Sequence, residues 1–233
     1  MFLSPTSQLW NRFCRDLIRT REMKHTPALI ILLVVSAYAR GQTDPEAIRI
    51  MDRFSSAALS APSVSMKFSL ITDDIANSKK DTANGSLVIS KDQYRLELPG
   101  NIIWFNGSVS WNYLVNEKEV TITKPDRRDE SFMSRPGTIF TLYKKGYKIR
   151  LLEETASAWI IDLYPEDTGN ELIRIRLTIG KNNYNLLNAE YKRKDGITLT
   201  LKVSEYNLKT VPDASFFTFN PKNYKGVEII DMR

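Results

Sequence analysis

Imidazoles and thiols carry much of the nucleophilic and acid–base chemistry of proteins, and this chain has one of each, His25 and Cys14. Both precede Ala39, in a stretch whose pattern marks it for removal. Residues 28–35 read Ala-Leu-Ile-Ile-Leu-Leu-Val-Val, with Lys24 and His25 before them and Ala37-Tyr38-Ala39 after. A basic start, a short apolar run and an A-x-A site are the signature of a secretory signal peptide; the run falls short of the about 20 apolar residues of a membrane span. Cleavage after Ala39 would leave neither histidine nor cysteine, so Ser-His-Asp, Cys-His and His/Cys zinc sites are excluded from the mature chain.

Other catalytic motifs are missing too. The ten glycines form neither G-x-G-x-x-G nor a Walker loop, and there is no S-x-x-K and no D-x-D-x-D-G calcium loop. Carboxylates occur as Asp73-Asp74, as Glu153-Glu154 and in the loop Asp126 to Glu130. Neighbours on a strand point to opposite faces, so neither doublet makes an acid/base pair, and solvated turn positions are their commoner role. Trp104, Trp111 and Trp159 could line a ligand cavity, but core packing is more usual for strand tryptophans. Catalytic and metal residues are therefore expected to be none.

Met23 opens the signal pattern, so residues 1–22 read as an extension from an upstream start, or else as a long n-region, 23–39 as the signal peptide and 40–233 as one domain. Removing the first 39 of 233 residues leaves 194, enough to bury a core without disulfides. The formal charge of +6 falls to about +3, because residues 1–39 carry Arg12, Arg15, Arg19, Arg21 and Lys24 against Asp16 and Glu22. Dispersed charge of that size is a poor nucleic-acid footprint. A soluble periplasmic protein is expected.

The elements that would position any site follow from periodicity. Asp44-Pro45 is an N-cap with proline at the first helical position; Ala47, Met51, Phe54 and Ala58 recur at helical spacing until Pro62, predicting a helix at about 45–60. The period then drops to two: Val64, Met66, Phe68 and Leu70 alternate with Ser63, Ser65, Lys67 and Ser69. Strands follow around Leu87 and Ile89, Tyr94–Leu98, Ile102–Phe105, Val109–Val115, Glu119–Thr123, Tyr147–Leu152, Trp159–Tyr164, Leu172–Ile179, Leu186–Lys192, Ile197–Val203 and Val227–Ile230. Asn106-Gly107 and Asp195-Gly196 are hairpin signals of the type I′ kind. Between the two groups of strands, Pro136, then Ile139, Phe140, Leu142 and Tyr143, then Lys144-Lys145-Gly146 predict a short helix, too short to stand alone. It is either a plug completing the core or a lid over a cavity. The meander could be a closed, filled barrel or an open, curved sheet around a hollow.

The order of features resembles the LolA-type periplasmic carriers of outer-membrane lipoproteins over nearly all of residues 44–230. The resemblance rests on the first helix, the strand Val64-Ser65-Met66-Lys67-Phe68 and Gly85-Ser86-Leu87 opening the next. It continues with Asn106-Gly107 before Trp111-Asn112-Tyr113, the helix after Pro136, the late Asp195-Gly196 turn and Phe217-Thr218-Phe219-Asn220-Pro221. It implies an unclosed antiparallel β-barrel of about eleven strands, with two or three helices over its concave face. It also implies a cofactor-free carrier that shields lipoprotein acyl chains, or another lipid, between inner and outer membranes. An inner-membrane ABC transporter of the lipoprotein-sorting type would load it, an outer-membrane acceptor would unload it, and the carrier would act as a monomer. The alternatives are a periplasmic sensor on the same fold and, more remotely, an enzyme using carboxylates or a tyrosine.

On this reading the cavity wall comes from Val64, Met66, Phe68 and Leu70, from Leu87, Ile89, Leu96 and Leu98, and from Ile173, Ile175, Leu177 and Ile179. Ile139, Phe140, Leu142 and Tyr143 form the lid. Well-known members of the family latch the lid with an arginine in the bend after the glycine-led strand; here Ile89-Ser90-Lys91-Asp92-Gln93 offers Lys91, a point charge in place of a planar fork.

Overall fold

The computed structural model describes residues 44–125 and 134–233. The expected extension and signal peptide, and the charged loop Asp126 to Glu130, lie outside the described residues.

Helix α1 (Pro45–Ser60) begins as its sequence dictates. The Asp44 carboxylate accepts from the Glu46 and Ala47 amides at 2.9 and 3.3 Å, satisfying donors that the first turn leaves free. Asp44 also ties the helix start to strand β7 (Tyr147–Glu154): its amide donates to the Ile149 carbonyl at 3.1 Å, and its carboxylate accepts from the Leu151 amide at 3.3 Å. The helix buries Ala47, Ile50, Met51, Phe54, Ser55 and Ala58 on one stripe. Pro62 forces the preceding Ala61 into the extended conformation that ends it.

Twelve strands make one sheet. The first meander comprises β1 (Val64–Asp74), β2 (Lys79–Ser90), β3 (Gln93–Leu98), β4 (Asn101–Phe105), β5 (Ser110–Leu114) and β6 (Glu119–Thr123). The second comprises β7, β8 (Ala158–Pro165), β9 (Leu172–Gly180), β10 (Leu186–Arg193) and β11 (Ile197–Asn207). The meanders join where β11 pairs antiparallel with β1, and β12 (Glu228–Asp231) adds to β6 in parallel. The order is β12-β6-β5-β4-β3-β2-β1-β11-β10-β9-β8-β7, so the sheet is open between β12 and β7. The unclosed antiparallel architecture thus agrees with expectation. The helices differ: among the described residues α1 is the one α-helix, and the stretch expected as a mid-chain helix forms two 3-10 turns, η1 (Pro136–Phe140) and η2 (Leu142–Lys144).

Both sheet faces are used. Inside, Val64, Met66, Phe68, Leu87, Leu96, Ile161, Leu163, Ile175, Leu177 and Ile179 pack under α1 and the 3-10 turns. Outside, Trp104, Tyr113 and Val120 are covered by Phe219, Tyr224 and Val227, which follow the 3-10 turn η3 (Ala214–Phe217) and flank η4 (Pro221–Asn223). Arg95 lies between the Trp104 and Phe216 rings, 5.5 and 4.9 Å from their centroids.

Gly85 faces Phe68 across the β1–β2 ladder. A Cβ there would sit 2.7 Å from the Glu97 carbonyl oxygen and 2.8 Å from the Phe68 ring and the Leu98 side chain, so only glycine admits this close approach. At the expected type I′ turns one residue each is left-handed: Gly107 at φ 93° and Gly196 at φ 88°. Asn106 and Asp195 instead accept hydrogen bonds from following amides, Asn106 from Ser108 and Val109, Asp195 from Ile197. These side-chain turns replace the second positive φ.

Candidate functional site

A cleft of about 370 Å³ opens where the C-terminal end of α1 meets the β2–β3 turn and η1. Ala58, Val64, Ile89, Phe105 and Phe140 supply an apolar wall, while Lys91, Asp92, Gln93, Arg135, Thr138 and Thr141 form a polar rim. Its volume falls within the range of about 300–1,000 Å³ of small-molecule sites.

Local sequence explains the walls. Pro62 stops α1 and turns the chain into β1, so Ala58, Leu59 and Val64 converge; the Ser90 hydroxyl donating to the Pro62 carbonyl at 2.8 Å holds this corner against β2. Lys91 occupies a left-handed position, φ 53°, in the tight β2–β3 turn, which carries its exposed side chain to the rim. On the far wall, the Tyr94 and Phe105 rings lie 5.4 Å apart.

The expected site residues separate into groups. Val64, Ile89 and Phe140 line the cleft, with Lys91 at its mouth. Met66, Phe68, Leu87, Leu96, Ile175, Leu177 and Ile179 are buried in the inner core, and Leu70 and Leu98 pack half-buried against it. Ile173 is 44% exposed, beside the bulge that shifts the β9–β10 register after Lys192. The strand pattern left a filled interior and a hollow both open; here Met51 and Phe54 of α1, with Ile139 and Phe140 of η1, are buried in the inner core, and the cleft lies at one end of it. Ile139 and Tyr143 are buried as a plug, Leu142 is half-buried, and Phe140 alone of the four reaches the cleft. None of the three tryptophans lines it: Trp104 and Trp111 belong to the outer core, and Trp159 stacks on Tyr184 at 5.3 Å.

Two tyrosines hold the 3-10 segment: Tyr143, expected only as an apolar lid residue, and Tyr94, expected only as a strand residue. Tyr94 donates its hydroxyl to the Ser134 carbonyl at 2.9 Å, and Tyr143 donates to Asp52 of α1 at 2.5 Å. Burial, reinforced by the Asp52 carboxylate, pushes the Tyr143 hydroxyl up to about 12, so it stays a donor throughout the neutral range. The Phe54 and Phe140 rings meet at 5.3 Å beneath these bonds. A helical-spacing signal linking Asp52 to the buried stripe was absent, because Asp52 lies on the exposed side of α1.

The carboxylate doublets serve turns and surface pairs. Asp74 accepts from the Asn77 amide and side chain at 3.0 and 2.7 Å, and Glu154 pairs with Lys181 at 2.6 Å. Among the described residues, no three His, Cys, Asp or Glu side chains gather as a metal site, and no helix is long and apolar enough to cross a membrane.

The architecture matches that of an uncharacterized conserved protein from Thermus thermophilus, with a TM-score of 0.54 at 16% identity over 80% of this chain and 99% of the other. A putative outer membrane lipoprotein-sorting protein domain from Vibrio parahaemolyticus aligns with a TM-score of 0.41 at 12% identity, over 76% and 97% of the two chains. A LolA superfamily protein from Nitrosomonas europaea gives 0.40 at 14%, over 74% and 97%. No curated protein sequence matches the chain significantly. Residues 35–196, more than half of the chain, match the family described as outer membrane lipoprotein carrier protein LolA. The chain belongs to that family of carrier proteins.

Proposed function

We propose that this protein binds the acyl chains of a lipid or lipoprotein in the cleft beneath η1 and carries them through the periplasm from inner to outer membrane. The observation that supports this reading is the pairing of an apolar wall with a polar mouth under a roof of 3-10 turns. Shielding each methylene from water is worth about 0.8 kcal/mol, with no directional contacts required. The roof is short and lacks α-helical hydrogen bonding, so what holds it is the burial of Ile139, Phe140 and Tyr143, which bound acyl chains would replace. Moving Phe140 off Phe54 would extend the cleft toward Met66, Leu87 and Leu96, giving the buried residues of the inner face a role in the loaded state. Loading by an inner-membrane ABC transporter of the lipoprotein-sorting type and delivery to an outer-membrane acceptor complete the proposal.

The test is solvent extraction of the purified protein followed by mass spectrometry, alongside binding of a fluorescent phospholipid by the protein and by Phe140→Asp. Recovered acylated lipid, with binding lost in Phe140→Asp and circular dichroism retained, is the expected result. Since Phe140 is 2% exposed, Val64→Asn and Ile89→Asn provide milder versions should Phe140→Asp unfold. No lipid in the extract and no phospholipid uptake would overturn the carrier reading; a tightly bound protein partner in its place would identify a sensor.

A further inference from the structure

The two halves of the outer face are treated differently. Over β3–β6 the segment after β11 packs down as a second core. Over β7–β11 the outward positions carry Lys148 and Arg150 of β7, Arg174 and Arg176 of β9, Lys192 of β10 and Lys202 of β11. Strand pairing puts them side by side: Arg150 faces Asp162, which faces Arg176, and Lys192 faces Arg174.

Beneath these cations lies a fixed network. Asp162 is fully buried and accepts from the Arg176 Nε and Nη2 at 2.7 and 2.8 Å, while Tyr164 donates to it at 3.0 Å. Arg174 bridges Asp162 and Glu190. Two acids thus balance two arginines. Lys148, Arg150, Lys192 and Lys202 are exposed, and none has an ion-pair partner among the described residues. Two acids without an ion pair among the described residues flank the patch, Glu153 at the far end of β7 and Glu166 just past β8, its amide bonded to the Gly146 carbonyl at 2.9 Å. With strands about 4.8 Å apart, the four cations span roughly 20 Å from β7 to β11.

We propose that this outer face binds an anionic phospholipid surface. The pattern favours a lattice of lipid phosphates over a protein partner. A protein interface is usually centred on buried aromatic or arginine anchors in pockets. Here the two central arginines are already committed to Asp162 and Glu190, the free charges stand on long flexible stems, and Tyr164 is the one outward aromatic among them. Scattered, mobile cations suit a fluid array of phosphates, each adding a modest, salt-sensitive increment. The face lies on the opposite side of the sheet from the inner core and its cleft, so docking and cargo binding are separable.

The test is co-sedimentation with vesicles of phosphatidylglycerol and phosphatidylcholine in equal parts, and with phosphatidylcholine alone, at low and high salt. The protein should bind the anionic vesicles, release them as salt rises and leave the neutral ones unbound. The quadruple variant Lys148→Glu, Arg150→Glu, Lys192→Glu, Lys202→Glu should lose at least about tenfold in affinity. Lys209→Glu with Lys222→Glu, elsewhere on the surface, should change it little. If the quadruple variant fails to fold, Lys148→Gln with Lys192→Gln should still weaken binding severalfold. Equal binding to both vesicle types, no binding to the anionic ones at low salt, or reversal variants that bind as the parent would overturn the proposal. Phe140→Asp should leave vesicle binding intact, which separates this proposal from the carrier reading.

Discussion

Replacing Tyr143 by phenylalanine should loosen the roof of the cleft without disturbing the sheet. The substitution keeps the ring, which is 5% exposed, and removes only the hydroxyl that donates to Asp52 at 2.5 Å. Hydrogen bonds to charged groups contribute about 1.5–3 kcal/mol. Asp52 lies on the exposed side of α1 and regains water when its partner is lost, which places the cost at the lower end, about 1.5 kcal/mol. That corresponds to about a tenfold rise in the population of the open roof. Amide exchange measures it: Thr141 and Lys144, whose amides donate to Thr138 and Thr141 at 2.8 and 3.0 Å, should exchange about tenfold faster, while the β1–β11 ladder keeps its protection. Uptake of a fluorescent phospholipid should accelerate in step. The titration has a defined sign. An unfolded tyrosine ionises near pH 10 and Tyr143, held up by burial and then by Asp52, near 12, so the stability tied to its neutral hydroxyl is fully present below about 10 and lost as pH rises toward 12. The parent's roof should loosen across that window, and that of Tyr143→Phe should not. Unchanged exchange at Thr141 and Lys144, or an equal loss of protection throughout the sheet, would refute this account of the latch.

Gly85→Ala should destabilise the protein by about 1–3 kcal/mol in urea unfolding, because its Cβ would press on the Glu97 carbonyl, the Phe68 ring and Leu98; a neutral result would show that the β1–β2 ladder gives way easily. Asp162→Asn should cost about 1–3 kcal/mol at neutral pH, less than a fully buried pair because Arg174 and Arg176 keep 18% and 30% of their side-chain exposure. Although burial pushes the Asp162 carboxyl up, its bonds from Arg176 and Tyr164 hold it below the usual range. The parent therefore has this stabilisation above about pH 4 and loses it as pH falls through the lowered value, so the difference from Asp162→Asn should shrink in acid.

The elements were legible because each carries a local signal. Asp44-Pro45 caps α1, and the alternation of β1 and β9 declares which side is buried. What filled the space in front of that side was not legible: period two identifies an apolar face but not what covers it, and the covering comes from Phe54 and Phe140, far from most of the strands they touch. The outer core left a readable trace that alternation alone misses. Ile102, Ile103, Trp104 and Phe105 are apolar without a break, the pattern of a strand covered on both faces, and the structure packs Trp104 outward and Phe105 inward. The parallel pairing of β12 with β6 depends on a return of the chain over the outer face, which no local pattern announces. Lys91 stands at the mouth of the cleft, while the hydroxyls of Tyr94 and Tyr143 make the hydrogen bonds to the 3-10 segment and to α1.

The seam between β1 and β11 joins residues as far apart as Ser65 and Asn207 in the middle of the sheet. Strand β1, the first of the sheet, thus lacks a neighbour on one flank until β11 has been made. Such distant pairings close slowly, since their entropic cost falls due before any contact rewards it. For a chain exported as its signal pattern predicts, this order of pairing would keep the polypeptide threadable in transit and delay its final shape until arrival.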